Sequence, residues 1–222
     1  KLKAIGVKIS RWLIYKYIQQ DKASGGYLYK FLRNSGRKRK TVGNSNKTKI
    51  PNRVGIELRP QIADECVEYG HFEGDSIVSK EHNSITITLT EKKTMQQFII
   101  PITEMKANTV ANAIISVLKN QQVPIKTLTV DNGWEFTEHE LITKKLGCGV
   151  YFARPYCSTD KALVENHNRL IRNFVPKGTD FKTIPNEYWA WIQDCLNNRP
   201  REKFGFKTPN EMVAQELVSW CN

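Results

Sequence analysis

Residues 84–102, SITITLTEKKTMQQFIIPI, decide the fold class. In 84–90, Ile85, Ile87 and Leu89 alternate with Thr86, Thr88 and Thr90. Successive strand side chains point to opposite faces, so a period of two reads as a strand with one aliphatic and one hydroxyl face. MQQFIIPI (95–102) reads as a second strand and EKKT (91–94) as the turn between them. That makes an antiparallel hairpin. Upstream, EGDSIVS (73–79) has strand character. Downstream the period changes to that of a helix. In 106–120, Val110, Ala113, Ile114, Val117 and Leu118 fall on one side. Strands at 125–130 and 148–153 then alternate with helices at 135–147, 159–175, 184–198 and 208–220, and Gly147 suits a helix end. A hairpin meander followed by strand–helix crossovers predicts an α/β fold, a mixed sheet flanked by helices.

Three acids occupy informative places in this pattern. Asp75 lies in the first strand, Asp131 directly after the strand ending at Val130, and Glu165 in the helix after strand 148–153. In open sheets with crossover helices, sites gather at the carboxyl ends of strands. At about 100° per residue, Arg169 falls about 40° from Glu165 and Arg172 about 20° from it, with Leu163, Leu170 and Phe174 opposite. The helix is thus expected to pack by the leucine side. Each acid has a plainer reading: Asp75 as a turn acid, Asp131-Asn132-Gly133 as a tight turn, and Glu165–Arg169–Arg172 as a surface ion-pair ladder. Taken together, carboxylates from two strands and a facing helix suit hard cations. Mg²⁺ takes few protein ligands, and two such ions roughly 4 Å apart hold both oxygens of an in-line displacement at phosphorus.

The charge is unevenly spread. Of 34 basic and 22 acidic residues in the 222, residues 1–60 hold 16 basic and 2 acidic, leaving the remainder at −2. Such asymmetry suggests a polyanion-binding arm on a body with other work. A helix at 9–20, with Ser10 as N-cap, carries Leu13, Ile14, Tyr17 and Ile18 on one stripe and Arg11 and Lys16 elsewhere. A short helix follows at 27–32. The stretch 33–53 is polar and free of acid, and its RKRK run, Arg37, Lys38, Arg39 and Lys40, reads as a phosphate-binding linker.

The other readings are exclusions. No run approaches the roughly 18 apolar residues of a membrane span, so no membrane partner is expected. Cysteines 66, 148, 157, 195 and 221 form no CxxC pair, and with histidines 71, 82, 139 and 167 show no zinc spacing. No GxxxxGK[ST] or GxGxxG is present, so no nucleotide cofactor is expected. Tyr188, Trp189 and Trp191 are expected in the core before any role in base stacking.

GHFEGDSI (70–77), TLTVDNGWEF (127–136) and YFARPYCSTDKALVENHNRLIRNFVPKGTDF (151–181) resemble the three catalytic blocks of bacterial insertion-sequence transposases of the IS-thirty family. LNNRPREKFGFKTPNE (196–211) resembles its C-terminal block, and ISRWLIYKYI (9–18) the end of its helix-turn-helix region. The 33 residues between Asp131 and Glu165 match the spacing of the family's DDE pattern. The resemblance implies a ribonuclease-H-like, retroviral-integrase-like core at 63–222, a basic linker at 36–62 and a partial helix-turn-helix DNA-binding region at 1–35. It implies a catalytic, metal-binding triad of Asp75, Asp131 and Glu165, served by Mg²⁺ or Mn²⁺. It also implies DNA contacts by Arg172, Arg169 and Lys161, joined by Arg37 to Lys40, Arg11 and Lys16 from the arm. The implied activity is cleavage and strand transfer at terminal inverted repeats by a homo-oligomer on double-stranded DNA, in a cytoplasmic, nucleoid-associated protein. The open alternatives are a decayed transposase that only binds DNA, and a nuclease of the same fold without strand transfer. Departures from the family's usual residues are Phe72 for Trp, Lys161 for Arg, Ala162 for Gly, and Leu163 and Val164 for small or polar residues.

Overall fold

The computed structural model describes residues 6, 9–32, 50–80, 83–121, 124–155 and 157–221. The chain divides into two compact units, residues 1–45 and 46–222. The basic run Arg37, Lys38, Arg39 and Lys40 lies outside the described residues.

In the first unit, α1 (Arg11–Ala23) begins where the sequence places its cap: Leu13 N donates to Ser10 Oγ at 3.2 Å. That hydroxyl satisfies one of the four amides a helix start leaves unpaired. None of the α1 side chains is buried. The Lys16 ammonium lies 5.0 Å from the Trp12 ring centroid, a cation–π contact that leaves the charge in solvent. A 3₁₀ turn, Leu28–Phe31, is tied back by Leu28 N donating to Asp21 Oδ2 at 2.9 Å.

The second unit is built on five strands: β1 (His71–Val78), β2 (Ile85–Glu91), β3 (Gln97–Ile102), β4 (Thr127–Val130) and β5 (Gly149–Phe152). Their order across the sheet is β3-β2-β1-β4-β5, antiparallel from β3 to β1 and parallel from β1 to β5. The mixed sheet is the one expected from a hairpin followed by crossovers. Its helices are α2 (Ile62–Glu65), α3 (Ala107–Lys119), α4 (His139–Leu146), α5 (Ala162–Phe174), α6 (Asn186–Asn197) and α7 (Pro209–Cys221). Residues 50–62 also pack here: Ile50 is in the core, and Phe152 N donates to Val54 O at 2.9 Å.

Strand alternation divides the packing into two layers. Ile85, Ile87 and Leu89 meet Val110 and Ile114 of α3 on one face. On the other, Ile77 and Ile99 meet Leu170 and Ile171 of α5 and Trp189 and Ile192 of α6. The threonine face of β2 is therefore not solvated; Thr86, Thr88 and Thr90 are all buried. Gly74 points into the α3 side, where a β-carbon would come within 3.1 Å of Val130 and 3.3 Å of Leu89. Its neighbours Glu73 and Asp75 consequently face α5.

Two helix starts fall three or more residues later than expected. The helix expected from 135 begins at His139, after a 3₁₀ turn Trp134–Phe136. Glu135 there turns to Ser76 of β1, and Phe136 enters the core. The helix expected from 159 begins at Ala162, after a 3₁₀ turn Ser158–Lys161. Gly147 ends α4 in the left-handed region (φ 66°), as its position suggests. The three α6 aromatics separate: Trp189 is core, while Tyr188 and Trp191 are exposed and stacked on each other at 5.4 Å.

Candidate active site

The parallel pairing of β1 with β4 sets Asp75, on β1, beside the end of β4, where Asp131 follows. Asp75 points toward α5 because Phe72 and Ile77 commit the two faces of β1 to the two core layers. Asp131 directly follows β4. Its Oδ1 accepts from Gly133 N at 3.0 Å, so the tight-turn reading holds as well. Asn132 donates to Ala153 O at 2.8 Å and ties this turn to the end of β5.

The two carboxylates share one cation. Lys161 Nζ lies 3.0 Å from Asp75 Oδ1 and 3.5 Å from Asp131 Oδ2. Lys161 is only 6% exposed. Burial alone pulls its pKa down, but Asp75 and Asp131 together outweigh that and hold it above the usual lysine value. The side chain expected to meet DNA thus bridges two acids.

Glu165 stands one helical turn after Lys161 and is half-buried. Burial raises its pKa, Lys161 and Arg169 oppose the rise, and the charges of Asp75 and Asp131 add to it. Among the described residues, no three His, Cys, Asp or Glu side chains close into a ready-made ion cage. The structure therefore joins Asp75 and Asp131 through Lys161, and Glu165 follows on the first turns of α5. Hard carboxylate oxygens that already share an ammonium are a donor set suited to a hard divalent cation.

The buried side of α5 is Val164, His167, Leu170 and Ile171, with Leu163 and Phe174 only half-buried. The helix is rotated from the packing expected, because the threonine face of β2 receives it as well as the aliphatic residues. Asn168, three residues after Glu165, becomes part of the site. It donates to Asp75 Oδ2 at 2.7 Å and accepts at Oδ1 from Thr88 at 2.7 Å. Among the described residues neither Arg169 nor Arg172 makes an ion pair with Glu165. Arg169 is exposed and reaches Asn166 at 3.5 Å. Arg172 Nη2 donates to Val78 O at 3.0 Å, the guanidinium lies 5.5 Å from the Phe181 ring, and Nη1 is buried without a partner. Burial lowers its pKa. Arg11 and Lys16 belong to the other unit.

Glu135 is a fourth carboxylate near the pair that the sequence reading passed over. It accepts from Ser76 and is buried. Burial raises its pKa, the Ser76 hydrogen bond opposes that, and Asp131 and Asp75 add to it. Its position in TLTVDNGWEF was the available signal.

No family model matches the chain. It is 39% identical over 209 residues to the transposase for insertion sequence element IS4351 of Bacteroides fragilis, covering 93% of this chain and 64% of that protein. The chain is a relative of insertion-sequence transposases. It is also 31% identical over 220 residues to transposase InsI for insertion sequence element IS30A of Escherichia coli (strain K12), covering 96% of this chain and 57% of that one. The chain thus spans less than two-thirds of the length of either transposase. Among solved structures, the catalytic core domain of BIV integrase matches with a TM-score of 0.52 at 20% identity, covering 68% of this chain and 97% of that domain. The second unit of this transposase relative has the ribonuclease-H-like fold of retroviral integrase cores. No helix among the described residues is long and apolar enough to cross a membrane.

Proposed function

We propose that the chain catalyses divalent-metal-dependent cleavage and strand transfer of DNA in the transposition of an insertion sequence. The observation that carries this reading is the shared cation: Asp75 on β1 and Asp131 just past the end of the adjacent parallel strand β4 both hold the Lys161 ammonium. Asp75, Asp131 and Glu165 are the residues that would hold Mg²⁺ or Mn²⁺. The metal would neutralise charge at the phosphate and activate the attacking oxygen. Asn168 holds the Asp75 carboxylate in one orientation through Nδ2. The turn at Asp131-Asn132-Gly133 fixes the second carboxylate against β5. Lys161 brings a positive charge to the position where a phosphate must approach two acids. Phosphoryl transfer at such a site is mostly positioning and charge neutralisation, so no Ser or Tyr nucleophile is assigned.

The substrates under this reading are the terminal inverted repeats and target DNA, handled by more than one copy of the chain. The basic residues Arg37, Lys38, Arg39 and Lys40 add sequence-independent affinity, with Arg11, Lys16 and the exposed Arg169 as further phosphate contacts. The test is joining of a pre-cut repeat end to target DNA with Mg²⁺ or Mn²⁺, for the natural chain and for Asp75→Asn. Loss of joining with retained DNA binding supports the reading. Joining by the variant refutes it. Cleavage without joining by the natural chain indicates a nuclease.

A further inference from the structure

Helix α5 carries Glu165, and its start is not capped from its own sequence. The residue before it, Lys161, makes no side-chain capping hydrogen bond. The first turn of a helix leaves amides that need acceptors. Two of them are met here from a strand 90 residues earlier. Glu73 Oε2 accepts from Leu163 N at 2.9 Å and from Val164 N at 3.0 Å. Glu73 is 3% exposed. Its Oε1 lies 3.6 Å from Lys92 Nζ, which also lies 3.5 Å from Asp64 Oδ1. Asp64 in turn accepts from Arg59, whose Nη1 donates to Thr129 Oγ1 on β4 at 2.7 Å.

We propose that Glu73 is a positioning residue that sets Glu165 against Asp75 and Asp131 by capping α5 across the sheet. Glu73 and Asp75 are two residues apart on β1, so they share a face and stand about 6.6 Å apart along the strand. Glu73 grips the amides of Leu163 and Val164, and Glu165 is the next residue of the same turn. One strand face thereby fixes both an acid of the site and the helix that brings the third. A carboxylate at a helix N-terminus also meets the positive end of the helix dipole. The network through Lys92, Asp64 and Arg59 holds that carboxylate still and ties it to β4, the strand that leads into Asp131. The inference about Glu165 rests on the metal-site reading above; the capping itself does not.

The test compares Glu73→Ala and Glu73→Gln in the full chain, with two readouts. The first is amide hydrogen exchange at Leu163 and Val164 without metal. Glu73→Ala should speed exchange there about tenfold or more, as for a lost buried acceptor. Glu73→Gln keeps an acceptor oxygen and should keep most of the protection. The second readout is Mn²⁺ affinity, which Glu73→Ala should lower about 10–100-fold, as outer partners of metal ligands do. Leu118→Ala is the control for general destabilisation. Leu118 is 1% exposed in the α3 layer, on the sheet face opposite Glu73 and α5. At a matched fall in Tm it should leave Mn²⁺ affinity unchanged. Unchanged exchange at Leu163 and Val164 in Glu73→Ala overturns the cap. An equal loss of Mn²⁺ affinity in Leu118→Ala overturns the positioning role. If the natural chain binds no Mn²⁺, the metal reading fails while the exchange result still decides the cap.

Discussion

Asn168 donates from Nδ2 to Asp75 Oδ2 at 2.7 Å, so the helix that carries Glu165 is hydrogen-bonded directly to a carboxylate of the sheet. The same amide accepts from Thr88 of β2. Asn168 thus reads both strands at once and fixes which Asp75 oxygen faces Lys161. Asn168→Ala should lower stability by about 1–2 kcal/mol, the range for a hydrogen bond whose buried partners lose their mate. It should also lower cleavage about 10–100-fold, because an orienting partner of a ligand is lost. Urea unfolding and a cleavage assay check both. Wild-type cleavage in Asn168→Ala removes it from the site.

Lys161 sets a second expectation. Without it, Asp75 and Asp131 face each other with no shared cation. Lys161→Met should lower Tm in metal-free buffer and make Tm rise more steeply with Mn²⁺ than in the natural chain, because ligand binding stabilises by mass action. Thermal unfolding across a Mn²⁺ series measures this. An identical Mn²⁺ response in both proteins contradicts the shared-cation account.

The pH dependence of stability should report Glu135. Burial first, then Asp131 and Asp75, hold its folded pKa above the ordinary glutamate value, against the Ser76 hydrogen bond. Below the unfolded pKa the group is protonated in both states and contributes nothing against folding. As pH rises, the unfolded chain ionises first and the folded state loses relative stability until pH passes the raised pKa. Glu135→Gln keeps an acceptor for Ser76 and removes the ionisation. Its stability relative to the natural chain should therefore grow between about pH 4.5 and pH 7.5 in metal-free buffer. Urea unfolding at the two pH values decides it; a difference that shrinks with pH contradicts the assignment.

Much of this site was legible because strand and helix periods are local. The alternation of Ile85, Ile87 and Leu89 located the sheet, and Asp131 was found from its place after a strand. What escaped was non-local. Glu73 lies between two motif residues, but its partners Leu163 and Val164 are 90 residues away. The threonines of β2 look like a solvated face until α5 covers them. The helical wheel placed Arg172 near Glu165, yet could not show its guanidinium turned to Val78 O. For Lys161, sequence shows the charge and not the two carboxylates it bridges.

The basic run gives a salt-dependence prediction. If Arg37, Lys38, Arg39 and Lys40 each neutralise a phosphate, changing all four to Gln should flatten the slope of log K against log salt by about 3–4, at roughly 0.9 per contact on duplex DNA. Equal slopes assign the run no role in DNA binding.

The central claim is that Asp131 and Glu165 act on DNA as members of one metal-dependent unit. The most direct measurement is 3′-end cleavage and joining of repeat-end DNA in Mg²⁺ or Mn²⁺ by Asp131→Asn, Glu165→Gln and the double variant. The account predicts loss of both reactions in each single variant, with the double hardly worse, as for residues that work as a unit. Metal-free DNA affinity should hold or rise, since a charge repelling phosphate is gone. Cleavage or joining at the natural rate by either single variant would contradict it.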